Sequence, residues 1–396
     1  MMPGSRVRRC AAAGVLLLAA TLTGCTGTHT APRHATARHA AATTHPSPAP
    51  AGLPGMPPVA DPHNVYRDAG ANMLAPAVRH DPPLVYVPHN GSGDVWVIDQ
   101  RTFRVVARYP AGVEVQHVVP SWDLRTLYST DDVGNHLRAF DPRTGKAGRT
   151  IAVVDPYNLY FTPDGRYGIS VAEDHRALYW YDPHSWAQRA VTPLPKCAGA
   201  DHAEFSADGR TAVFTCEFAG AVAVVDVASR RLLRMVDMPR RYTHMGPQDI
   251  KLAPDGRHWY VADCDAGGLW VLDGAARSVQ RFVRTGACAH GLYFDRPARR
   301  MFVSDRMAGS VSVLDAYTAR PLATWHLPGG GSPDMGNVTA DGRQLWLSGR
   351  YDDVVYVLST SDGRLIRRIP VGNGPHGLCV WPQPGRYSLG HTGITR

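Results

Sequence analysis

Short runs of β-branched and aromatic residues alternate with polar turns from Leu84 to Trp381, and nothing between them carries apolar residues at helical spacing. One run recurs seven times, ending in Asp or a hydroxyl residue. It reads VWVIDQ at Asp99, LRAFDP at Asp141, LYWYDP at Asp182, VAVVDV at Asp226, LWVLDG at Asp273, VSVLDA at Asp315 and VYVLST at Ser359. The spacings are 42, 41, 44, 47, 42 and 44 residues. A second strand-like run precedes each, as at Leu84 to Val87, Trp259 to Ala262 and Met301 to Ser304, and a third follows, as at Val105 to Tyr109 and Arg367 to Val371. Pro163-Asp164-Gly165, Ala207-Asp208-Gly209, Pro254-Asp255-Gly256 and Ala340-Asp341-Gly342 mark tight turns, because Asp hydrogen-bonds its own backbone and Gly accepts a left-handed conformation. The pattern predicts four strands per repeat.

Seven four-stranded units at a period of about 43 residues match blades set radially around a channel. An open solenoid is the rival, and counting favours closure. Seven sets of outer strands start at Leu84, whereas seven inner strands begin near Gln116 and end with Gly377 to Trp381. The last inner strand lacks outer partners unless it pairs with the first set, which joins the C-terminal strand to the N-terminal blade and hides the sheet edges. The expected fold is all-β, a seven-bladed β-propeller closed by that pairing.

Two strands, VYVPHN at Val85 to Asn90 and WYVADC at Trp259 to Cys264, carry a family likeness. From Leu84 to Trp381 the chain resembles the YVTN-repeat, YncE-like propellers, and its ending, Gly385 to Arg396, is similar to those of actinobacterial members. For activity the resemblance implies only a range, because such propellers include surface proteins, haem d1 domains, lactonases and lyases. It also implies that the loop entering each inner strand, and the loop between the second and third strands, open on one face where ligands bind.

Charge changes the picture once it is located. The formal net charge is +8, but Arg6, Arg8, Arg9, Arg33 and Arg38 fall in the first 40 residues, where there is no acidic residue. The folded part is nearly balanced, so a nucleic-acid partner, which needs clustered surface cations, is not expected. Arg6 to Arg9 form a basic segment, and Cys10 to Leu22 an apolar one too short to span a bilayer. Leu22-Thr23-Gly24-Cys25 resembles a bacterial lipobox. Residues 1–24 are therefore read as a lipoprotein signal peptide, with lipid on Cys25 holding the protein to the outer face of a Gram-positive-like cell membrane. From Thr26 to Ala60 there is no aromatic and no acidic residue, so 25–60 is expected to be a disordered tether and 61–396 the propeller. His29, His34, His39 and His45 in the tether offer loose metal binding at most.

Candidate chemistry lies at the pairs entering the inner strands: Gln116-His117, Tyr157-Asn158, Asp201-His202, Gln248-Asp249, His290-Gly291, Asp334-Met335 and His376-Gly377. Neutral imidazole is the commonest ligand for Zn, Cu, Fe and Ni, which suggests a divalent metal. In these pairs, however, His117 and His202 stand second while His290 and His376 stand first, and neighbouring strand residues point to opposite faces. No symmetric four-histidine ring is expected. The ligand or channel-mouth residues are His117, Asn158, His202, Asp249, His290, Asp334 and His376, with His202, His290 and His376 as metal candidates. Among acidic residues near that face, Glu204, Glu217 and Asp263 are the candidate catalytic bases beside His202. There is no Cys-x-x-Cys-His for a c-type haem, and Gly329-Gly330-Gly331 lacks the strand-to-helix setting of a nucleotide loop.

Outside the membrane disulfides are permitted, and the expected pairs are Cys197 with Cys216 and Cys264 with Cys288, leaving Cys379 a buried free thiol. Copper held by these thiols with His202 and His290 is the alternative. Three functional readings stand: a module binding a cell-surface protein, glycan or small molecule on the loop face; a metal-dependent lyase or lactonase-type hydrolase at the channel mouth; and a redox or metal-handling propeller of haem d1-like or copper type.

Overall fold

The computed structural model describes residues 52–239 and 244–396. The expected signal peptide, Cys25 and most of the tether lie outside the described residues. Seven antiparallel sheets form the blades, each built on four consecutive strands except the first, which takes its inner strand from the far end of the chain; the third gains two further short strands, Ser388–Gly390 and Ile394–Thr395, beside its inner strand. Cys379–Trp381 pairs with Leu84–His89, placing Leu84 opposite Trp381 and Tyr86 opposite Cys379. Blade 1 continues with Asp94–Asp99 and Arg104–Pro110, and blade 2 runs from Val115–Pro120 to Lys146–Ala152. Blades 3 to 7 begin with the inner strands Asn158–Phe161, Ala200–Phe205, Pro247–Leu252, Ala289–Phe294 and Pro333–Val338. No helix among the described residues is long and apolar enough to cross a membrane.

Burial follows the position of a strand in its blade. Second strands such as Leu84–His89 and Leu127–Asp131 are buried along their length, because neighbouring blades cover both faces. The outermost strands alternate, as Arg104–Pro110 does. The core is therefore a set of interblade layers, with Val95, Val97, Leu127 and Phe140 packed between blades 1 and 2 and Val213, Val224, Val261 and Leu272 between blades 4 and 5. The recurring Asp at the end of each third strand has a local cause. Asp99 Oδ1 accepts the N–H groups of Arg101 (2.9 Å) and Thr102 (2.8 Å), and Asp315 Oδ1 those of Tyr317 (3.1 Å) and Thr318 (2.9 Å), closing the hairpin.

Both expected disulfides are present, Cys197 to Cys216 and Cys264 to Cys288, and Cys379 is a buried free thiol. This removes the copper site built from these thiols. The tether boundary at Ala60 needs correction. Leu53 is buried and its N–H donates to Asp208 O (2.7 Å), Val65 N–H donates to Pro254 O (2.8 Å), and Asn72 N–H donates to Ala340 O (2.8 Å). Residues from Leu53 onward thus strap across the turns of blades 4, 5 and 7. The apolar Leu53, Met56 and Val59 pack against the core there, a contribution that a count of Pro, Ala and Thr does not reveal.

Candidate metal centre

The inner strands of blades 2, 4, 5, 6 and 7 shift register at their entry pairs, between Val115 and Val118, Ala200 and Ala203, Pro247 and Ile250, Ala289 and Leu292, and Pro333 and Gly336. A hydroxyl on the second strand holds four of these bulges. The N–H of His117 donates to Thr130 Oγ1 (3.1 Å), His202 to Thr215 Oγ1 (2.9 Å), Gly291 to Ser304 Oγ (2.8 Å) and Met335 to Ser348 Oγ (3.2 Å). A bulge suspends strict strand alternation and re-aims side chains.

That is why the expectation of no four-histidine ring fails. His117, His202, His290 and His376 meet in the channel, with ring centroids 5.3 Å apart for 117 to 202, 6.0 Å for 202 to 290, 6.1 Å for 290 to 376 and 4.8 Å for 376 to 117. Gly377 makes room for this, since a Cβ there would lie 2.1 Å from His117 Cδ2. A fifth imidazole, His391, enters from the segment after the last blade, 4.7 Å from His202 and 5.4 Å from His117. All five rings are buried, so these residues lie inside the channel rather than at its mouth.

Each of the four ring histidines has its Nδ1 beside an oxygen. His117 Nδ1 lies 2.9 Å from Tyr157 O, His202 Nδ1 2.6 Å from Asp201 Oδ1, His290 Nδ1 3.2 Å from Asp334 Oδ1, and His376 Nδ1 3.1 Å from Gln116 Oε1. Gln116 Nε2 donates to Glu114 and Asp132, which leaves its oxygen to accept. The bonds to Tyr157 O and Gln116 Oε1 orient His117 and His376, while Asp201 and Asp334 lie beside Nδ1 of His202 and His290 without hydrogen-bond geometry. The Nε2 atoms of His117 and His202 then face each other at 3.3 Å. Burial holds His117, His290, His376 and His391 well below the usual histidine range and brings His202 down to about 4, so the cluster is neutral at physiological pH.

Among the described residues, two groups bring ligand atoms within 4.8 Å of one another: His117, His202 and His391, and His290, Asp334 and His376. The expected trio of His202, His290 and His376 is therefore divided between them. In the second group Asp334 already accepts from Arg306 Nε (2.9 Å), whose guanidinium balances its charge. In the first group no ligand atom is paired with a cation; the Lys251 ammonium, which acts on His202 and His391, is itself beside Asp249 (3.6 Å), and this group is the better place for an ion.

Two candidate bases are committed elsewhere. Glu204 Oε1 pairs with Arg396 (2.7 Å) and Oε2 accepts from Tyr66 Oη (3.1 Å), while Asp263 accepts from Ala266 N–H (2.9 Å) and Trp270 Nε1 (2.8 Å). Asp249 bonds to the N–H groups of Ile250 and Leu292 (2.8 Å each), whereas Asn158 accepts from Leu159 N–H (2.8 Å) and turns its Nδ2 to His391 Nδ1 (2.9 Å), at the edge of the cluster. Glu217 stays near the site. Burial and Asp201 push it up to about 7, Glu173 to about 9, and burial raises Asp132 to about 7. Around these acids the loops expose Val133, Phe218, Met307 and Tyr351. His391 was missed in the sequence. Its only signal is Gly390-His391-Thr392-Gly393 in a stretch beyond what seven blades require.

Seven blades around a hub of imidazoles and carboxylates define a β-propeller with a polar, closed channel. Residues 239–384 match the YNCE-like beta-propeller family model, and the described residues form a seven-bladed propeller. No curated protein matches it. Among solved structures it is similar to hydrazine synthase of Kuenenia stuttgartiensis, with TM-score 0.57 and 18% identity over 66% of this chain and 87% of that one. It is also similar to a functionally unknown protein from Desulfotomaculum acetoxidans DSM 771, with TM-score 0.63 and 14% identity over 75% and 98%. A third likeness is to the dihydro-heme d1 dehydrogenase NirN in complex with DHE, with TM-score 0.55 and 16% identity over 83% and 78%. At these identities the likeness is one of fold.

Proposed function

We propose that this propeller is lipid-anchored to the outer face of the cell membrane and binds a transition-metal ion between His117 and His202. The observation that carries the reading is the facing pair of Nε2 atoms at 3.3 Å, each ring backed by an oxygen at Nδ1. Two zinc–nitrogen bonds at a tetrahedral angle separate their nitrogens by about 3.3 Å. A cation between them is bound by both Nε2 lone pairs, with each ring carrying its proton on Nδ1 toward the oxygen behind it. Asp201 behind His202 then completes a carboxylate–histidine–metal arrangement. Imidazole donors suit Zn, Cu, Fe and Ni.

A haem is a poorer match. The rings lie 4.7 to 6.1 Å apart and are buried, leaving no slot for a macrocycle among them. The loop face, with its acids and apolar rim, is where a cell-surface protein, glycan or small molecule would meet the ion. Purified full-length chain is expected to retain one equivalent of metal, and Co2+ in its place to give the visible bands of a tetrahedral site. His202→Ala removes both. A folded protein that takes up neither Zn2+, Co2+ nor Cu2+ overturns the reading. Cys25→Ser is expected to release the chain into the medium; unchanged membrane association would refute the lipid anchor.

A further inference from the structure

The segment 385–396 is buried almost throughout and reaches into the propeller from the side opposite the loop face. Four blades hold it. Ser388 N–H donates to Trp122 O (3.0 Å) and its Oγ to Pro120 O (3.1 Å) on blade 2, and His391 N–H donates to Leu159 O (2.9 Å) on blade 3. Arg396 pairs with Glu204 (2.7 Å) on blade 4, and Asn337 Nδ2 on blade 7 donates to the carbonyls of Thr392 and Gly393 (3.2 Å each). The chain reverses at its innermost point, where Gly390 (φ 101°), His391 (φ 53°) and Gly393 (φ 109°) all have positive φ.

A histidine at such an apex is costly in conformation, and a glycine would avoid that cost. Its side chain accounts for its presence only in part. The ring stacks on Tyr160 at 6.0 Å, and Nδ1 lies 2.9 Å from Asn158 Nδ2. Nε2 is buried and has no hydrogen-bond partner. A buried polar atom without a partner is uncommon and calls for a ligand. His391 also shares a 4.8 Å group with His117 and His202.

We propose that His391 is the third imidazole ligand of the ion, so that the 385–396 segment completes the site and the ion in turn fastens the segment into the channel. The inference rests on the metal reading above. When the cation binds Nε2, the ring carries its proton on Nδ1, and the Asn158 amide gives up the bond its oxygen accepts from Leu159 N–H (2.8 Å) to turn that oxygen toward the ring. Metal binding and segment docking are then linked, since each stabilises the other by the same factor.

The test uses the full chain with Zn2+ as the probe. Hydrogen exchange at Ser388, Gly390, His391 and Gly393 is expected to slow by at least about tenfold on adding Zn2+. In His391→Ala, Zn2+ still binds through His117 and His202, but at least about tenfold more weakly, the scale on which even outer partners of a metal act. Zn2+ gives no added protection there. His391→Gln keeps a polar side chain at the apex and is expected to behave as His391→Ala does, which controls for a folding defect. Equal affinity in wild type and both variants, with exchange unchanged by Zn2+, overturns the third-ligand role and leaves the metal reading standing. No Zn2+ binding to any form overturns both.

Discussion

Asp131, Asp263 and Asp305, which end second strands, are as buried as the channel histidines, yet the two sets are met differently. Asp131 accepts the N–H groups of Val113 (2.9 Å), Glu114 (2.9 Å) and Gly134 (3.1 Å), and Asp305 accepts from Gly286 N–H (2.9 Å) and Ser312 Oγ (2.7 Å). Both oxygens of each are occupied by donors of nearby loops. Among the ring histidines, the Nε2 atoms of His117 and His202 instead face each other at 3.3 Å, and His376 Nε2 lies 3.6 Å from Asp334. A polar group saturated by its own scaffold is architectural. One that is oriented by its scaffold and turned toward its own kind is arranged for something else, and here that is a cation.

The sharpest way to break this contrast is to remove one member of each set. Asp305→Ala leaves several buried donors unsatisfied and is expected to cost about 3 to 5 kcal/mol in chemical denaturation. Metal content of the folded fraction is expected to stay unchanged. A loss below about 1 kcal/mol would mean that the saturated carboxylates are dispensable. His202→Asn inverts the pattern, with metal binding lost and the stability of the metal-free protein changed by less than about 1 kcal/mol. If His202→Asn destabilises as strongly as Asp305→Ala, the channel is architecture too.

A smaller effect separates the two sets by pH. Folding raises Glu217 and Asp132 to about 7 and Glu173 to about 9, above unfolded values of about 4, so the folded protein holds the extra protons. These groups therefore lower stability as pH rises through that interval. The histidines, pushed down on folding, contribute stability that is complete above about pH 6.5 and lost as pH falls toward 4. Between about pH 6.5 and 9 the metal-free protein is expected to lose stability, and Glu173→Gln to lose less. Thermal melts across that interval check the sign; a rise would mean that these acids do not ionise against one another.

Much of the fold was legible because one short run ending in Asp recurs seven times, and the Asp closes a hairpin through its own neighbours. The convergence of the histidines was not legible. Strand alternation separates His117 and His202 from His290 and His376, and only the bulges held by Thr130, Thr215 and Ser304 bring them together. Glu204 looked like a base because it lies two residues from His202, but its partners, Arg396 and Tyr66, come from segments far away in the chain. His391 was invisible for the same reason, since no local pattern says that a stretch after the last strand turns back into the channel.

The most direct test of the central claim is a crystal structure of the full chain grown with Zn2+, with anomalous scattering recorded at the zinc edge. The account predicts a peak about 2.0 to 2.1 Å from Nε2 of both His117 and His202. No peak in the channel, or peaks confined to the acids of the loop face, would contradict it.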